Sequence, residues 1–329
     1  MSQPAAPSLG PARLLGDVGG TNARFAWQDG DGGPLRDSVA LATADHATLA
    51  DALRHYLQAT GHTAPRWCAI GIANPVTGDH VQMTNSHWSF SIEATRRALG
   101  FDRLVVINDF TALALALPDL APRELRQLGG GTAVAGAPLA LIGPGTGLGV
   151  SGLLPGAAPG QWVPLQGEGG HVSLAAANRR EADVLQALRD TFGHASAERA
   201  VSGQGLEALH AAIGRLDSLP TRTSLSAAEI SRRALAGSDA RCVEVLDLFC
   251  GFLGNVAGNL ALTLGARGGV YVGGGIVPRL GDAFMRSRFR ACFEDKGRFR
   301  AYLEAIPVFV IHADVSPALL GAARALYFS

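Results

Sequence analysis

The chain has 329 residues, of which 47% are hydrophobic and 17% are charged, and its 28 basic residues balance 28 acidic ones. This composition supplies enough apolar side chains for a large packed core, which excludes a wholly disordered chain. The formal net charge of zero argues against nucleic acid as a partner, because surfaces that bind polyanions usually carry a basic excess.

The first half of the chain alternates strand-like and helix-like segments. Helical spacing of apolar residues predicts helices that stop at Gly61 and Gly100. The apolar run Leu104–Ile107 lacks alternation, which is typical of a parallel strand covered on both faces. The predicted strands are Leu14–Val18, Arg24–Gln28, Ser38–Thr43, Trp67–Ala73, His80–Thr84 and Leu104–Ile107, and the predicted helices are Thr48–Thr60, Ser91–Leu99 and Phe110–Leu117.

The second half repeats this pattern, and strands with intervening helices predict an α/β fold. Its predicted strands are Leu139–Ile142, Gly149–Leu154, Gln161–Leu165 and Gly269–Val272, its predicted helices are Ala182–Phe192, Gly205–Ile213, Ser226–Ala236 and Cys242–Leu264, and Gly281–Phe289, Val308–Ile311 and Pro317–Tyr327 complete the order. Glycine turns follow the first strand of each half, at Gly19-Gly20-Thr21 and Gly145-Thr146-Gly147. The repeat suggests a duplicated fold with a ligand between two lobes.

Targeting and membrane segments are not expected. Residues 1–12 have no basic start and no apolar core, so they predict an irregular terminus and no signal peptide. The uncharged stretch Leu248–Ala266 approaches spanning length, but Asn255, Asn259 and several glycines favour a buried helix of a soluble protein. The four cysteines have no CxxC or CxC spacing, which favours a reducing cytoplasm over a zinc or disulfide framework.

Lys296 is the only lysine, and Gly297 follows it where a Walker A loop requires serine or threonine. Phosphate chemistry in this chain must therefore depend on backbone amides, arginine and metal. The segment Asp17-Val18-Gly19-Gly20-Thr21-Asn22 suits that chemistry, because its turn exposes amides for phosphate oxygens and Asp17 can hold Mg²⁺ through water. An ordinary hairpin turn would have a similar composition.

Two further candidate ligand-binding segments lie at the ends of predicted strands. The loop Gly143-Pro144-Gly145-Thr146-Gly147-Leu148-Gly149 would weaken a plain strand, so a ligand that approaches the backbone closely is its simplest explanation. Asn108-Asp109 follows a buried strand, where ligands of open α/β sheets gather, although aspartate is also a favoured helix N-cap.

The remaining candidates are three polar residues and one more glycine segment. Glu168 and His171 could bind vicinal hydroxyls or contribute two ligands to a metal, and the lack of an evident third ligand favours hydroxyl binding. Glu198 by itself is typical of a helix surface. Gly273-Gly274-Gly275 allows close approach of a flat or phosphorylated group, or makes a tight strand-to-helix turn.

Together these motifs resemble the bacterial glucokinase family, within the larger group that shares a fold with actin, sugar kinases and the heat-shock chaperone ATPases. The resemblance runs from about Leu14 to about Gly321. Its marks are Gly16–Asn22, Ala73–Ser91, Ile107–Thr111, Gly143–Gly149, Gly167–Val172, Ser196–Gly203, Gly269–Arg279 and Phe293–Phe299.

The resemblance implies a two-lobed actin-like ATPase fold made of duplicated ribonuclease-H-like domains with a ligand cleft between them. The small α/β lobe would comprise residues 1–119 plus 313–329, and the large α/β lobe residues 120–312. It further implies ATP and Mg²⁺ as cofactors, glucose as substrate, a cytoplasmic location, no nucleic-acid or membrane partner and a homodimer.

The resemblance also assigns roles to individual residues. Asp109 matches the catalytic base that takes the proton of the sugar 6-hydroxyl as it attacks the γ-phosphate. Asn108, Glu168, His171 and Glu198 match the glucose ligands. The ATP-binding residues would be Gly16, Asp17, Val18, Gly19, Gly20, Thr21, Asn22, Gly143, Gly145, Thr146, Gly147, Gly273 and Gly274.

Three other functions remain open at this point. A kinase for another hexose, such as mannose or an amino sugar, would differ in pocket geometry that the sequence does not expose. A catalytically silent sugar-binding regulator would lack Asp109 or the phosphate loops, and both are intact. An actin-like filament protein would lack Glu168, His171 and Glu198.

Overall fold

The computed structural model describes residues 10–218, 224–313 and 315–327, so most of the predicted irregular terminus lies outside the described residues. The chain divides into two compact units. Unit 1 comprises the chain up to Leu120 together with the segment from Ala313 onward, and unit 2 comprises Ala121–His312.

The strands and helices follow the order that the sequence pattern predicts. In the first third they are β1 (Arg13–Val18), β2 (Asn22–Gln28), β3 (Leu35–Ala42), α1 (Leu49–Thr60), β4 (Trp67–Ile72), β5 (His80–Gln82), β6 (Ser89–Ser91), α2 (Ile92–Leu99), β7 (Arg103–Asn108) and α3 (Asp109–Ala116). The remainder comprises β8 (Leu125–Leu128), β9 (Leu139–Pro144), β10 (Leu148–Pro155), β11 (Trp162–Leu165), α4 (Arg179–Phe192), α5 (Gly203–Leu216), α6 (Ala227–Ala236), α7 (Ala240–Leu264), β12 (Val270–Val272), α8 (Val277–Leu280), α9 (Asp282–Met285), α10 (Phe289–Glu294), α11 (Arg300–Glu304), β13 (Val308–Ile311) and α12 (Pro317–Ala325).

Helix ends are set by local hydrogen bonds that the sequence encodes. The Thr48 side chain caps α1 by accepting a hydrogen bond from the Asp51 amide, and α1 ends at the left-handed Gly61. Ser91 caps α2 in the same way, and α2 ends at Gly100. Thr48 and Ser91 are therefore caps and not the first helical residues, and both predicted helices are confirmed with starts one residue later.

In the described part of unit 1, five strands form a sheet in the order β3-β2-β1-β4-β7. Strand β2 is antiparallel to both neighbours, whereas β4 pairs in parallel with β1 and with β7. Leu104 and Val106 of β7 pack into the core beneath α1, and Val105 packs on the opposite face against the cluster that contains Leu319. The predicted parallel strand, covered on both faces, is thus confirmed.

Unit 2 repeats this pairing. Its described strands form a sheet in the order β11-β10-β9-β12-β13-β8. The pairs β11-β10 and β10-β9 are antiparallel and β9-β12 and β12-β13 are parallel, so β9 takes the place that β1 has in unit 1. Strand β8 extends the sheet by an antiparallel pairing with β13. The duplication predicted from the two glycine turns is therefore confirmed.

Helix α7 is the central helix of the unit 2 core. By length and composition alone this 25-residue helix could cross a membrane, but 67% of its most apolar window is buried inside the protein. Phe249, Phe252 and Leu253 lie in the main hydrophobic cluster of the unit. This burial confirms the prediction that the segment forms a buried helix.

Several short elements depart from the sequence pattern. The sequence pattern does not predict strands β6 and β8, because their three and four residues are too few to show an alternation of apolar and polar side chains. The predicted segment Gly281–Phe289 is not one element, because α9 ends at Met285 and α10 begins at Phe289. There the Ser287 hydroxyl donates to the Phe284 carbonyl, a local bond that competes with helix continuation.

The C-terminal helix α12 packs on the sheet of unit 1. Leu319 and Ala322 form one buried cluster with Leu15 of β1 and Ala69 of β4. Gly321 faces α3 so closely that a Cβ atom at this position would overlap the carbonyl oxygen of Ala112. The absence of a side chain at residue 321 therefore sets the distance between the two helices.

Gly321→Ala is expected to lower the free energy of unfolding by about 2–3 kcal/mol, because backbone atoms must move to admit the new methyl group. Gly78→Ala is the matched control, since a Cβ there would meet no atom within 4 Å. Urea denaturation of both variants measures the difference. Equal stability of the two variants would contradict the tight packing of α12 on α3.

Candidate active site

The candidate residues of unit 1 lie at the carboxyl ends of its three parallel strands. Asp17 of β1 pairs in register with Gly71 of β4, which in turn pairs with Ile107 of β7. Asp109 follows β7 directly as the first residue of α3. Because β1 and β7 are two strand spacings apart, the two strands that lead to these carboxylates are separated by about 10 Å. Such an edge of an α/β sheet is where ligands bind.

Arg24 and Ser316 of unit 1 lie next to the Asp17 carboxylate, whose side chain is 17% exposed. Its Oδ2 lies 3.8 Å from Nη1 of Arg24, and the Ser316 side chain is hydrogen bonded to it. Burial raises the pKa of Asp17 above its usual range, while Ser316 and Arg24 partly oppose that rise. The sequence pattern indicated neither neighbour, since Ser316 lies close to the other end of the chain.

The junction between β7 and α3 decides which residue caps the helix. The Asn108 Oδ1 atom accepts hydrogen bonds from the amides of Phe110 and Thr111, at 2.9 and 3.1 Å. Asn108 is therefore the N-cap of α3, and the alternative role of Asp109 as the cap is wrong. The Asn108 Nδ2 atom donates to Asp109 Oδ1 at 3.1 Å, so the cap also orients the candidate base.

The turn between β1 and β2 carries the remaining candidates of unit 1. A hydrogen bond of 2.9 Å from the Gly19 amide to the Asn22 carbonyl closes it. Gly16 and Val18 lie within β1 and pair with Phe25 and Ala23 of β2. These two residues therefore support the turn through the β-ladder, whereas Thr21 is exposed at its tip.

In unit 2, two glycine segments contact each other at the carboxyl ends of β9 and β12. The Gly273 amide donates to the Ile142 carbonyl at 2.9 Å. Gly274 has a φ of +77°, and a Cβ atom there would overlap the Pro144 carbonyl oxygen. Any side chain at residue 274 would therefore separate the two segments, which explains this glycine better than a simple turn does.

Glu198 joins the sugar-binding candidates to the second glycine loop. Its Oε2 atom accepts a hydrogen bond of 2.8 Å from the Leu148 amide, across 50 residues of sequence. Its own amide donates to the Gly170 carbonyl at 2.8 Å. Glu198 is thus held at two points between the Gly143–Gly149 loop and the Glu168–His171 segment. No local sequence pattern predicts the contact with Leu148.

Glu168 and His171 lie on the two ends of a short 3₁₀ turn. The His171 amide donates to the Glu168 carbonyl at 3.0 Å, and both side chains are exposed. Gly145 and Gly147 close their own turn through a hydrogen bond of 2.8 Å, and Thr146 is exposed at its tip. Unit 2 therefore collects two glycine segments and three polar side chains on one side of its sheet.

Among the described residues, no group of three or more His, Cys, Asp or Glu side chains could hold a metal ion. The Mg²⁺ that the family resemblance implies therefore stays a prediction. Asp17 is the carboxylate next to the first glycine turn, which fits contact with such a cation through water.

Comparison with known proteins identifies relatives over almost the whole chain. A family model described as Glucokinase matches residues 14–327. A glucokinase of Chromobacterium violaceum is 58% identical over 314 residues, which cover 95% of this chain and 89% of that protein. A glucokinase of Aromatoleum aromaticum is 59% identical over 315 residues, which cover 95% of this chain and 94% of that protein.

A solved structure supports the fold independently. The crystal structure of a glucokinase from an Antarctic psychrotroph superposes with a TM-score of 0.86 at 37% identity, over 97% of this chain and 99% of that chain. The fold is therefore the actin-like ATPase fold that the family resemblance implies.

Asp17→Asn is expected to raise the Tm at pH 8, and the gain should shrink as the pH falls toward 5. The pKa of Asp17 is higher in the folded than in the unfolded chain, so the ionised carboxylate opposes folding at high pH. In the wild type, protonation of Asp17 at low pH removes this cost in stability. The Asp17→Asn variant has no ionised carboxylate and therefore no such cost at any pH.

Thermal scans across this pH range provide the measurement. Asp45→Asn, at an exposed site in the same unit, serves as control and should match the wild type at each pH. A lower Tm for Asp17→Asn at pH 8, or a gap that widens in acid, would show that burial is not the dominant influence on this carboxylate.

Proposed function

The chain belongs to the bacterial glucokinase family, and from that premise we propose that it transfers the γ-phosphoryl group of ATP to the 6-hydroxyl of D-glucose, with Asp109 as general base. The observation that carries this proposal is the position of Asp109. It follows β7 at the same sheet edge where Asp17 lies near the end of β1, next to the first glycine turn.

The reaction needs a base because a primary hydroxyl is a weak nucleophile. As the sugar O6 forms its bond to the γ-phosphorus, its proton passes to the Asp109 carboxylate, and the bond to the bridging oxygen of ADP breaks. The Asn108 amide group, which donates to Asp109 Oδ1, orients the carboxylate for this transfer. Glucose 6-phosphate and ADP are the products, and the proton leaves Asp109 for solvent.

Sugar recognition is assigned to Asn108, Glu168, His171 and Glu198. Carboxylates, an imidazole and an amide together can both accept from and donate to hydroxyl groups, which suits a hexose with several adjacent hydroxyls. One oxygen of Glu198 is already bound to the Leu148 amide, so the carboxylate has a fixed direction and its other oxygen is available to a hydroxyl. A fixed partner discriminates among epimers better than a mobile one.

Phosphate binding is assigned to the glycine turns. The turn at Gly19–Thr21 in unit 1 and the loop at Gly143–Gly147 in unit 2 would donate backbone amides to the phosphates, and Gly273–Gly274 would contact the adenosine. Mg²⁺ would enter with ATP and neutralise phosphate charge, with Asp17 as its water-mediated partner.

The resemblance supports two further parts of the proposal, a homodimer and a cytoplasmic location. The four free thiols suit a reducing compartment.

A coupled assay of ADP release over a panel of hexoses tests the function as a whole. We expect turnover with glucose that depends on Mg²⁺ and ATP, and much lower kcat/KM for mannose and glucosamine. A preference for another hexose would reassign the substrate, and turnover with none of them would favour a sugar-binding regulator.

Asp109→Asn is expected to reduce kcat by a factor of roughly 10² to 10⁴, the range typical for loss of a general base, while glucose affinity changes much less. Steady-state kinetics and glucose titration measure the two quantities. Asp102→Asn, just before the opposite end of the same strand, should retain wild-type turnover. An Asp109→Asn kcat within about threefold of wild type would exclude the base role.

Glu198→Ala is expected to raise the glucose KM by about 10-fold or more and to lower kcat as well, because a loosely held sugar misaligns its attacking oxygen. Glu168→Ala should act in the same direction. Glu207→Ala is the matched control, since Glu207 also accepts from a backbone amide in unit 2, that of Ala227 at 3.0 Å. An unchanged glucose KM in both Glu198→Ala and Glu168→Ala would refute the assigned sugar contacts.

A further inference from the structure

Thr43 makes two hydrogen bonds to the first glycine turn that the function described above does not use. It follows β3 as the first residue of a 3₁₀ turn over Thr43–Asp45 and is 3% exposed. Its Oγ1 donates to the Gly20 carbonyl at 2.6 Å, and its amide donates to the Thr21 carbonyl at 3.0 Å. Both carbonyls at the tip of the turn are therefore bound by one residue.

These bonds determine the direction of the amides in the turn. In a trans peptide unit the C=O and the N–H point in opposite directions, so the bond to the Gly20 carbonyl directs the Thr21 amide away from Thr43. Within the described residues, neither the Gly20 amide nor the Thr21 amide donates to an acceptor. The turn thus presents unused donors on the face opposite Thr43, which is the arrangement that binds phosphate oxygens.

The support behind Thr43 is itself fixed. The His46 carbonyl, three residues further on, accepts hydrogen bonds from Trp88 Nε1 at 2.8 Å and from His87 Nε2 at 2.9 Å. Trp88 is fully buried. A Cβ atom at Gly20 would lie 2.5 Å from the Asn85 carbonyl oxygen, so the turn also touches the segment that holds His46. Thr43 therefore connects the glycine turn to a segment whose own position is set by the buried Trp88 side chain.

We propose that Thr43 is a positioning residue for phosphate binding, whose hydroxyl orients the Gly20–Thr21 peptide so that the Thr21 amide meets a phosphate of ATP. This proposal rests on the proposed function, because it requires that the Gly19–Thr21 turn binds ATP. The residue does not touch substrate; it acts through the peptide that does.

The test compares Thr43→Val, which removes the hydroxyl at nearly constant volume, with Thr43→Ser, which keeps it. We expect Thr43→Val to lower kcat/KM for ATP by about 10- to 100-fold, mainly through KM, as displaced donors no longer match the phosphates. The glucose KM should change by less than about twofold, and Thr43→Ser should stay within about threefold of wild type in both parameters.

Two further variants separate positioning from stability. Thr60→Val is the matched control, because the Thr60 hydroxyl also donates to a backbone carbonyl in unit 1, that of Tyr56 at 2.8 Å. It should retain wild-type kinetics at a comparable change in Tm. Thr43→Ala removes the same hydroxyl with less steric demand and replaces Thr43→Val if that variant does not fold.

The wild-type enzyme is assayed first, with ATP binding measured by calorimetry. If it neither binds ATP nor phosphorylates any hexose, the proposed function fails and the Thr43 proposal fails with it. If the wild type is active and Thr43→Val keeps its KM for ATP within about twofold, only the Thr43 proposal is overturned. Equal losses in Thr43→Val and Thr43→Ser would also overturn it, since the hydroxyl would then not be the cause.

Discussion

The parallel pairing of strands is the constraint on which the rest of the structure depends. In unit 1, β4 pairs in parallel with β1 and β7, and in unit 2, β12 pairs in parallel with β9 and β13. Parallel neighbours end at the same edge of a sheet, and the chain must cross back through a helix to form each of them. Polar residues after different strands are thereby collected in each unit, although they lie far apart in sequence.

The second constraint is the absence of a side chain where two backbone segments approach each other closely. This absence serves a different purpose at each of two glycines. At Gly321 it allows α12 to pack on α3, a purely structural contact. At Gly274 it allows one loop to rest on the carbonyl of Pro144, which brings two candidate ATP-binding segments together. A high glycine content therefore does not by itself identify functional loops. The neighbour that each glycine touches separates the two cases.

The candidate site also carries a cost in stability. A carboxylate whose pKa burial raises, as at Asp17, works against folding whenever it is ionised. Arg24 and Ser316 reduce that cost without removing it, and Ser316 reaches Asp17 only because the last segment of the chain returns to unit 1. Such costs are common where a group is held for chemistry and not for packing.

The sequence by itself determined those features that depend on neighbouring residues. Thr48 and Gly61 mark the ends of α1, the unalternating run Leu104–Ile107 marks a covered parallel strand, and the two glycine turns mark the duplication. The family resemblance also predicts functional roles for Asp109 and Glu198. Caps, periodicity and turns are local hydrogen-bonding and packing patterns, so a single chain segment is enough to predict them.

Only the tertiary structure decided which distant groups meet. Glu198 binds the Leu148 amide across 50 residues, and the Thr43 hydroxyl binds the Gly20 carbonyl across 23. No local pattern encodes such bonds, since each depends on the register of paired strands and on the path of the chain between them.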